Sequence, residues 1–320
     1  MITKVRTRTP NNVWGPAVAF AVMLALTGLT VTSGQAPYYP QQQFPRGLNI
    51  APSFEGWEEN PDGGFNMLFG YFNRNWEEDP YIPVGPDNTI EPGGPDRGQP
   101  THFFPRRNKF VFRVPVPKDF GNKELVWTLT VHGKTEKAYA TLKEDYKVDL
   151  RVLQTNTHMN LGARNYPKFD ADMAENKPPV VRVEGDLRRT VNVHEPLALS
   201  AVVTDDGRLV RLPVEGGSVD SDTTALGLRV AWFVYRGPGD RVTFDPEQFK
   251  VYQDKRTGGN SPWTPGWTPP ALPADGKFPV KVTFSEPGTY VVRVLAHDGG
   301  LDTAKDVTVT VRPPSSASVR

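Results

Sequence analysis

Residues 286–312 carry the pattern that most constrains the fold of this chain. Pro287-Gly288 marks a turn, after which Tyr290, Val292, Val294 and Ala296 occupy every second position. A Gly/Asp turn follows, and then Val307, Val309 and Val311 repeat the alternation. Successive side chains of a strand point to opposite faces, so period two bounded by turn residues predicts a hairpin with one buried face. The 32 prolines and 29 glycines punctuate other alternating runs in the same way, which fits an all-β protein better than a disordered one.

With 320 residues the chain has room for two domains, each long enough to bury a core of its own. The expected fold class is all-β, with two antiparallel β-sandwich-like domains, at 37–150 and 177–313, joined by a linker at 151–176 and followed by a tail at 314–320. Residues 37–60 read as an extended lead-in and 77–108 as a long loop. Residues 65–72 predict a strand apolar on both faces, which needs cover on both sides. Strands follow at 110–116, 125–131 and 138–142, the last two joined by a turn at His132-Gly133-Lys134. Pro115 and Pro117 place the first of these at a sheet edge, because proline cannot donate to a ladder. In the second half, strands are expected at 180–184, 197–204, 228–235, 278–284, 289–297 and 306–312, with long insertions at 205–227 and 245–277. No internal helix is predicted beyond a short helical turn at Gln248–Asp254.

Four stretches of the second half resemble the PKD group of immunoglobulin-like β-sandwiches. They are the opening Asn176-Lys-Pro-Pro-Val, the run Leu197-Ala-Leu-Ser-Ala-Val-Val-Thr-Asp-Asp-Gly207, the tryptophan-bearing Val230-Ala-Trp-Phe-Val234, and Phe284-Ser-Glu-Pro-Gly-Thr-Tyr-Val-Val-Arg-Val-Leu-Ala-His-Asp298. The chain departs from the group in its two insertions, and in having Arg236-Gly-Pro-Gly-Asp240 where Gly-Asp-Gly is usual. The resemblance implies a non-catalytic extracellular module used for spacing, adhesion or polymer contact. The first half resembles no family we can name.

Lys4, Arg6 and Arg8 precede an apolar stretch at 17–31 and then the small residues of Thr32-Ser33-Gly34-Gln35-Ala36. This reads as an export signal over 1–36, too short to span a bilayer comfortably, with an uncleaved anchor as the alternative. No second apolar stretch offers a membrane span after signal cleavage. The absence of cysteine excludes disulfides, thiolate metal sites and a cysteine nucleophile. A net charge of +1, from 37 basic and 36 acidic residues, offers no field for nucleic acid. The expected location is periplasmic, cell-surface or extracellular.

Three groups of residues are candidate sites. Asp205, Asp206, Asp298 and Asp302 fall in two turns that a sandwich of this order places at one end, where carboxylates suit Ca²⁺, the one cofactor considered. Aspartate beside glycine also bonds its own turn backbone. Trp263 and Trp267, in a proline-stiffened loop, are the candidate binding residues for a sugar or a partner, or else a cover for the sandwich. Trp57, Trp76 and Tyr81 raise the same question in the first half. His102 with Arg106 and Arg107 is a candidate anion or acid–base group whose bland alternative is pairing with Glu77, Glu78 or Asp79. The adjacent pairs Glu58/Glu59 and Glu77/Glu78 do not make a glycosidase dyad, because neighbours on a strand face opposite ways. The five histidines have no short metal-binding spacing, and no phosphate loop, dinucleotide turn or nucleophile elbow occurs.

The leading reading is therefore an exported, non-enzymatic interaction or structural module, with an envelope or extracellular protein or polysaccharide as partner and no catalytic residues. A carbohydrate- or polymer-binding module using exposed tryptophans is the alternative. A hydrolase with its site in the first half is the third reading.

Overall fold

Two β-sandwiches follow one another along the chain. The computed structural model describes residues 44–155, 171–209, 227–248 and 273–314. The first sandwich contains β1 (Ile50–Glu59), β2 (Phe65–Asn73), β3 (Asn88–Glu91), β4 (Arg106–Val116), β5 (Leu125–Val131) and β6 (Lys134–Ala140). They form two three-stranded sheets, in the orders β1-β2-β4 and β3-β5-β6. The alternating LVWTLTV of β5 places Leu125, Trp127, Leu129 and Val131 inward. Trp127 meets Phe69 of β2 and Phe112 of β4 edge-on, with ring centroids 5.9 and 5.0 Å away, so the sheets pack face to face through aromatic rings. His132 and Gly133 both take positive φ, as a two-residue hairpin between twisted strands requires. β4 is an edge strand, as its prolines predict.

The second sandwich contains β7 (Val180–Val183), β8 (Arg188–Asn192), β9 (Leu197–Thr204), β10 (Arg229–Arg236), β11 (Val242–Asp245), β12 (Lys277–Phe284), β13 (Gly288–His297) and β14 (Asp302–Arg312). One sheet runs β11-β12-β9-β7 and the other β10-β13-β14-β8, with β8 parallel to β14. This is the immunoglobulin order, with the first strand divided between the two sheets. Trp232 lies in the core, and its indole donates to the Phe278 carbonyl at 3.1 Å. The Tyr290 hydroxyl donates back to the Glu286 carbonyl at 3.0 Å, the tyrosine corner of immunoglobulin-like folds. Two short helices, α1 (Leu150–Thr155) and α2 (Ala171–Glu175), lie between the sandwiches.

Three departures from the sequence reading have physical reasons. β1 is a strand and not a lead-in. Its alternation breaks at a bulge between Phe54 and Gly56, which hides the period. Gly56, at φ +121°, is required there, because a Cβ would come within 2.5 Å of the Tyr146 carbonyl oxygen. β3, within the expected loop, is too short to show a period and faces the core with Asn88. That carboxamide donates to the Ile82 and Pro100 carbonyls and accepts from the Trp127 indole at 3.0 Å. The two helices fall in the expected linker and its flank, each under two turns long.

The two sandwiches share a buried seam. Phe233 and Tyr235 of β10 and Leu295 of β13 point away from their own core and belong to that of the first sandwich. The segment 96–104 runs along the otherwise open edge of β10. Thr101 and His102 donate backbone N–H groups to the Tyr235 carbonyl. The Tyr235 hydroxyl donates to the Gly98 carbonyl at 2.6 Å. Arg236 clasps both Asp96 oxygens, at 2.7 and 3.0 Å, and donates to the Gln99 carbonyl. Arg293 stacks on the Tyr235 ring, 3.3 Å from its centroid, while paired with Asp306.

Trp232→Ala should cost about 3–5 kcal/mol, as for other large buried aromatics, and a melting temperature that does not fall would refute the core assignment. Tyr235→Ala removes the ring at the centre of the seam. Calorimetry should then resolve two transitions where the parent chain shows one, whereas a single undivided transition in the variant would show that the seam does not couple the sandwiches.

Candidate functional site

The side chains flagged in the first half serve its architecture. His102 is buried, with Nδ1 on the Val234 carbonyl at 2.9 Å and Nε2 on the Asp79 carboxylate at 2.8 Å. Its ring packs directly against Gly239. Arg106 lies over Phe72 and Trp76, at 4.8 and 4.2 Å from the ring centroids, and donates to the Arg74 carbonyl. Arg107 pairs with Glu55. The three residues therefore do not converge on a common point of chemistry. Glu58 pairs with Arg113 and Glu59 with Lys147, while Glu78 accepts from Gly47 and bonds His132. Trp57 is buried, its indole donating to the Lys143 carbonyl. Tyr81 is exposed and Trp76 half-buried. Trp263 and Trp267 lie outside the described residues, as do residues 1–36.

The four aspartates separate into two places. Asp298 opens the β13–β14 turn and is fully buried. Its Oδ1 accepts from the backbone N–H of Gly300 and Leu301, each at 2.7 Å, and its Oδ2 accepts from the Asn176 carboxamide at 2.9 Å. Burial pushes its pKa up to about 6 against these hydrogen bonds, and the Asp205 charge adds to the rise. Asp205, just after β9, accepts from the Gly207 N–H through Oδ2, and burial raises its pKa as well. Asp206 turns outward to the Lys177 and Arg208 backbone N–H groups. Asp302 stands at the far side of the turn, within electrostatic reach of Arg113.

Two further residues complete the Asp298 cluster, and sequence reasoning did not single them out. Asn176 donates to both Asp298 and Gln154 Oε1, the latter at 3.2 Å. Gln154 of α1 donates in turn to the Met173 carbonyl of α2. The only sequence signal for Asn176 was its position at the start of the PKD-like stretch, and Gln154 carried none. Among the described residues, no group of three or more His, Asp or Glu side chains is placed to hold a metal ion.

Between β4 and the β13–β14 hairpin lies a crevice of about 450 Å³, whose charged lining is Arg113, Arg293, Asp302 and Asp306. Its two cations and two anions balance, so it has no charge preference for a ligand. Among the described residues no helix is long and apolar enough to cross a membrane.

No family model and no curated protein matches the chain. Solved structures similar to parts of it include a titin–obscurin-like 1 immunoglobulin complex, at 16% identity over 44% of this chain and 100% of that one, with a TM-score of 0.22. The Yersinia pseudotuberculosis protein InvD is 9% identical over 85% of this chain and 59% of its own, with a TM-score of 0.23. Sidekick-1 immunoglobulin domains 1-4 are 10% identical over 82% of this chain and 47% of theirs, also with a TM-score of 0.23.

Replacing His102 by Ala should lower stability by roughly 1–3 kcal/mol, because the Val234 carbonyl loses its buried partner. Urea unfolding measures this, and an unchanged midpoint would mean that the imidazole is not a structural group.

Proposed function

We propose that the chain is an exported, non-catalytic protein acting as an interaction or structural module outside the cytoplasm, its second sandwich being of the PKD type. The observation that carries this reading is the use made of the polar side chains at the seam. His102, Arg236, Arg293 and Asp96, groups that an active site would employ, hold one sandwich against the next, Arg293 through the Val111 carbonyl. A chain built this way presents its surfaces at a fixed spacing, as an interaction or structural module needs. The basic and apolar pattern of 1–36 supports the export part of the reading. Polysaccharide binding through Trp263 and Trp267 is a separate reading that rests on the sequence of their loop.

Fractionation of cells expressing the full chain with a C-terminal tag should place it outside the cytoplasm. The purified protein should turn over none of a panel of glycoside, ester and peptide substrates. Cytoplasmic retention would overturn the export reading, and turnover would restore the hydrolase reading. Pelleting with insoluble polysaccharide would move the assignment to the polymer-binding alternative.

A further inference from the structure

We infer that the bare edge of β4, from Val111 to Pro115, receives an extended, uncharged segment of a partner polypeptide as an added strand, laid in the crevice beneath the β13–β14 hairpin. Three strands of eight residues or more stand at sheet edges: β1, β4 and β10. Segment 96–104 runs along β10, and Lys147 and Val148 lie against β1 at Trp57. No main-chain segment of the described residues bonds the outer edge of β4 between Val111 and Pro115, where its neighbour is the crevice. An open edge of this kind is a template for another strand.

Two observations place the main chain of β4 at the crevice. Phe110, Val111, Phe112 and Arg113 all line it. Side chains alternate between the faces of a strand, so four consecutive residues reach one cavity only along its main-chain edge. The second observation is a pair of bonds. The Val111 carbonyl accepts from Arg293 at 3.4 Å and the Pro115 carbonyl from Arg97 at 2.9 Å. Main-chain groups alternate in direction along a strand, so Arg113, between those two, turns its N–H and C=O the same way. Among the described residues neither group is bonded outside the β2–β4 ladder. The two guanidinium groups stand where an added strand would bring its own N–H groups.

The crevice also selects what can be added. Its arginines already have carboxylate partners, Arg293 in Asp306 and Arg113 in Glu58, so the lining favours a segment without charge. The edge from Val111 to Pro115 is ~13 Å long at the rise of a strand, and the crevice beside it holds about 450 Å³. The β13–β14 hairpin forms the facing wall. A second copy would bring its own hairpin in front of its own β4, so two such edges cannot meet, whereas a single extended segment can enter. In strand addition the main-chain bonds supply affinity and alternate side chains supply specificity. The inference rests on the interaction reading above and gives that module a binding edge. Its test reads peptide addition alone, so its failure would leave export and the lack of turnover to be decided by fractionation and the substrate panel.

The test uses the full chain and a displayed library of short random peptides. Selection should enrich uncharged peptides of high strand propensity, and a synthetic copy of one should slow hydrogen exchange at the Arg113 amide. Methylating alternate backbone nitrogens of that peptide should abolish its binding. Arg113→Pro removes the N–H from an edge that already holds Pro115, and should weaken binding by about tenfold or more. Arg113→Ala keeps the main chain and should bind as the parent does. Thr303→Trp fills the crevice from the facing wall and should abolish binding with β4 unaltered, which keeps the test decisive if Arg113→Pro does not fold. The inference fails if no enriched peptide protects the Arg113 amide, or if Arg113→Pro and Thr303→Trp bind as well as the parent. It fails equally if Arg113→Ala loses as much as Arg113→Pro, or if self-association of the chain is what protects the Arg113 amide.

Discussion

The burial of Phe233, Tyr235 and Leu295 outside their own sandwich is the constraint on which the rest of the structure depends. In an isolated immunoglobulin-like domain, the outer face of β10 and β13 would meet water, and an apolar face of that kind invites association. Here the first sandwich covers it. The same contact also answers the open edge of β10, whose Val234 and Tyr235 carbonyls receive donors from His102 and Thr101. Segment 96–104 satisfies this edge and also brings Phe104 against Phe233, with ring centroids 5.4 Å apart, so the seam is fixed in register as well as in position. Of the charged groups around it, Arg236 pairs across the seam with Asp96, and Arg293, held by Asp306 of its own sandwich, donates across to the Val111 carbonyl.

Legibility in the sequence followed the number of partners each residue needed. Strands β5, β9 and β12 face one core and solvent, and β13 turns every second residue to its own core, so their alternation could be read directly, and their observed bounds lie within a residue of those expected. β10 has buried residues on both faces, and its tryptophan marked it in spite of that. β3, β8 and β11 are four or five residues long and could not be read, because their place is set by neighbours distant in sequence. Asn88 shows the difficulty most sharply. A buried asparagine in a loop-like stretch gives no apolar signal, yet it ties three segments to Trp127.

The aspartate turns show the same division. Sequence order placed the Asp205 and Asp298 turns at one end of the sandwich, because that follows from topology alone. It did not separate Asp298 from Asp302, four residues on, since a turn that reverses the chain sends its two ends to different neighbours. Nor did it reveal Asn176 and Gln154, whose roles depend on how a short helical connection packs. In the first half, His102, Arg106 and Arg107 looked like a reactive group only because they are adjacent in sequence. In space each answers to a different partner.

The division of the opening strand has a mechanical meaning. β7 opens the second sandwich, β8 follows it across to the other sheet and β14 is the last strand; β8 and β14 lie parallel, from Arg188 opposite Thr308 to Asn192 opposite Arg312. Tension drawn between the start of β8 and the end of β14 therefore runs along both strands in opposing directions. The ladder between them is loaded in shear, with its hydrogen bonds sharing the force, and not peeled open one at a time. A pull applied at these two points would load the β8–β14 ladder along its whole length.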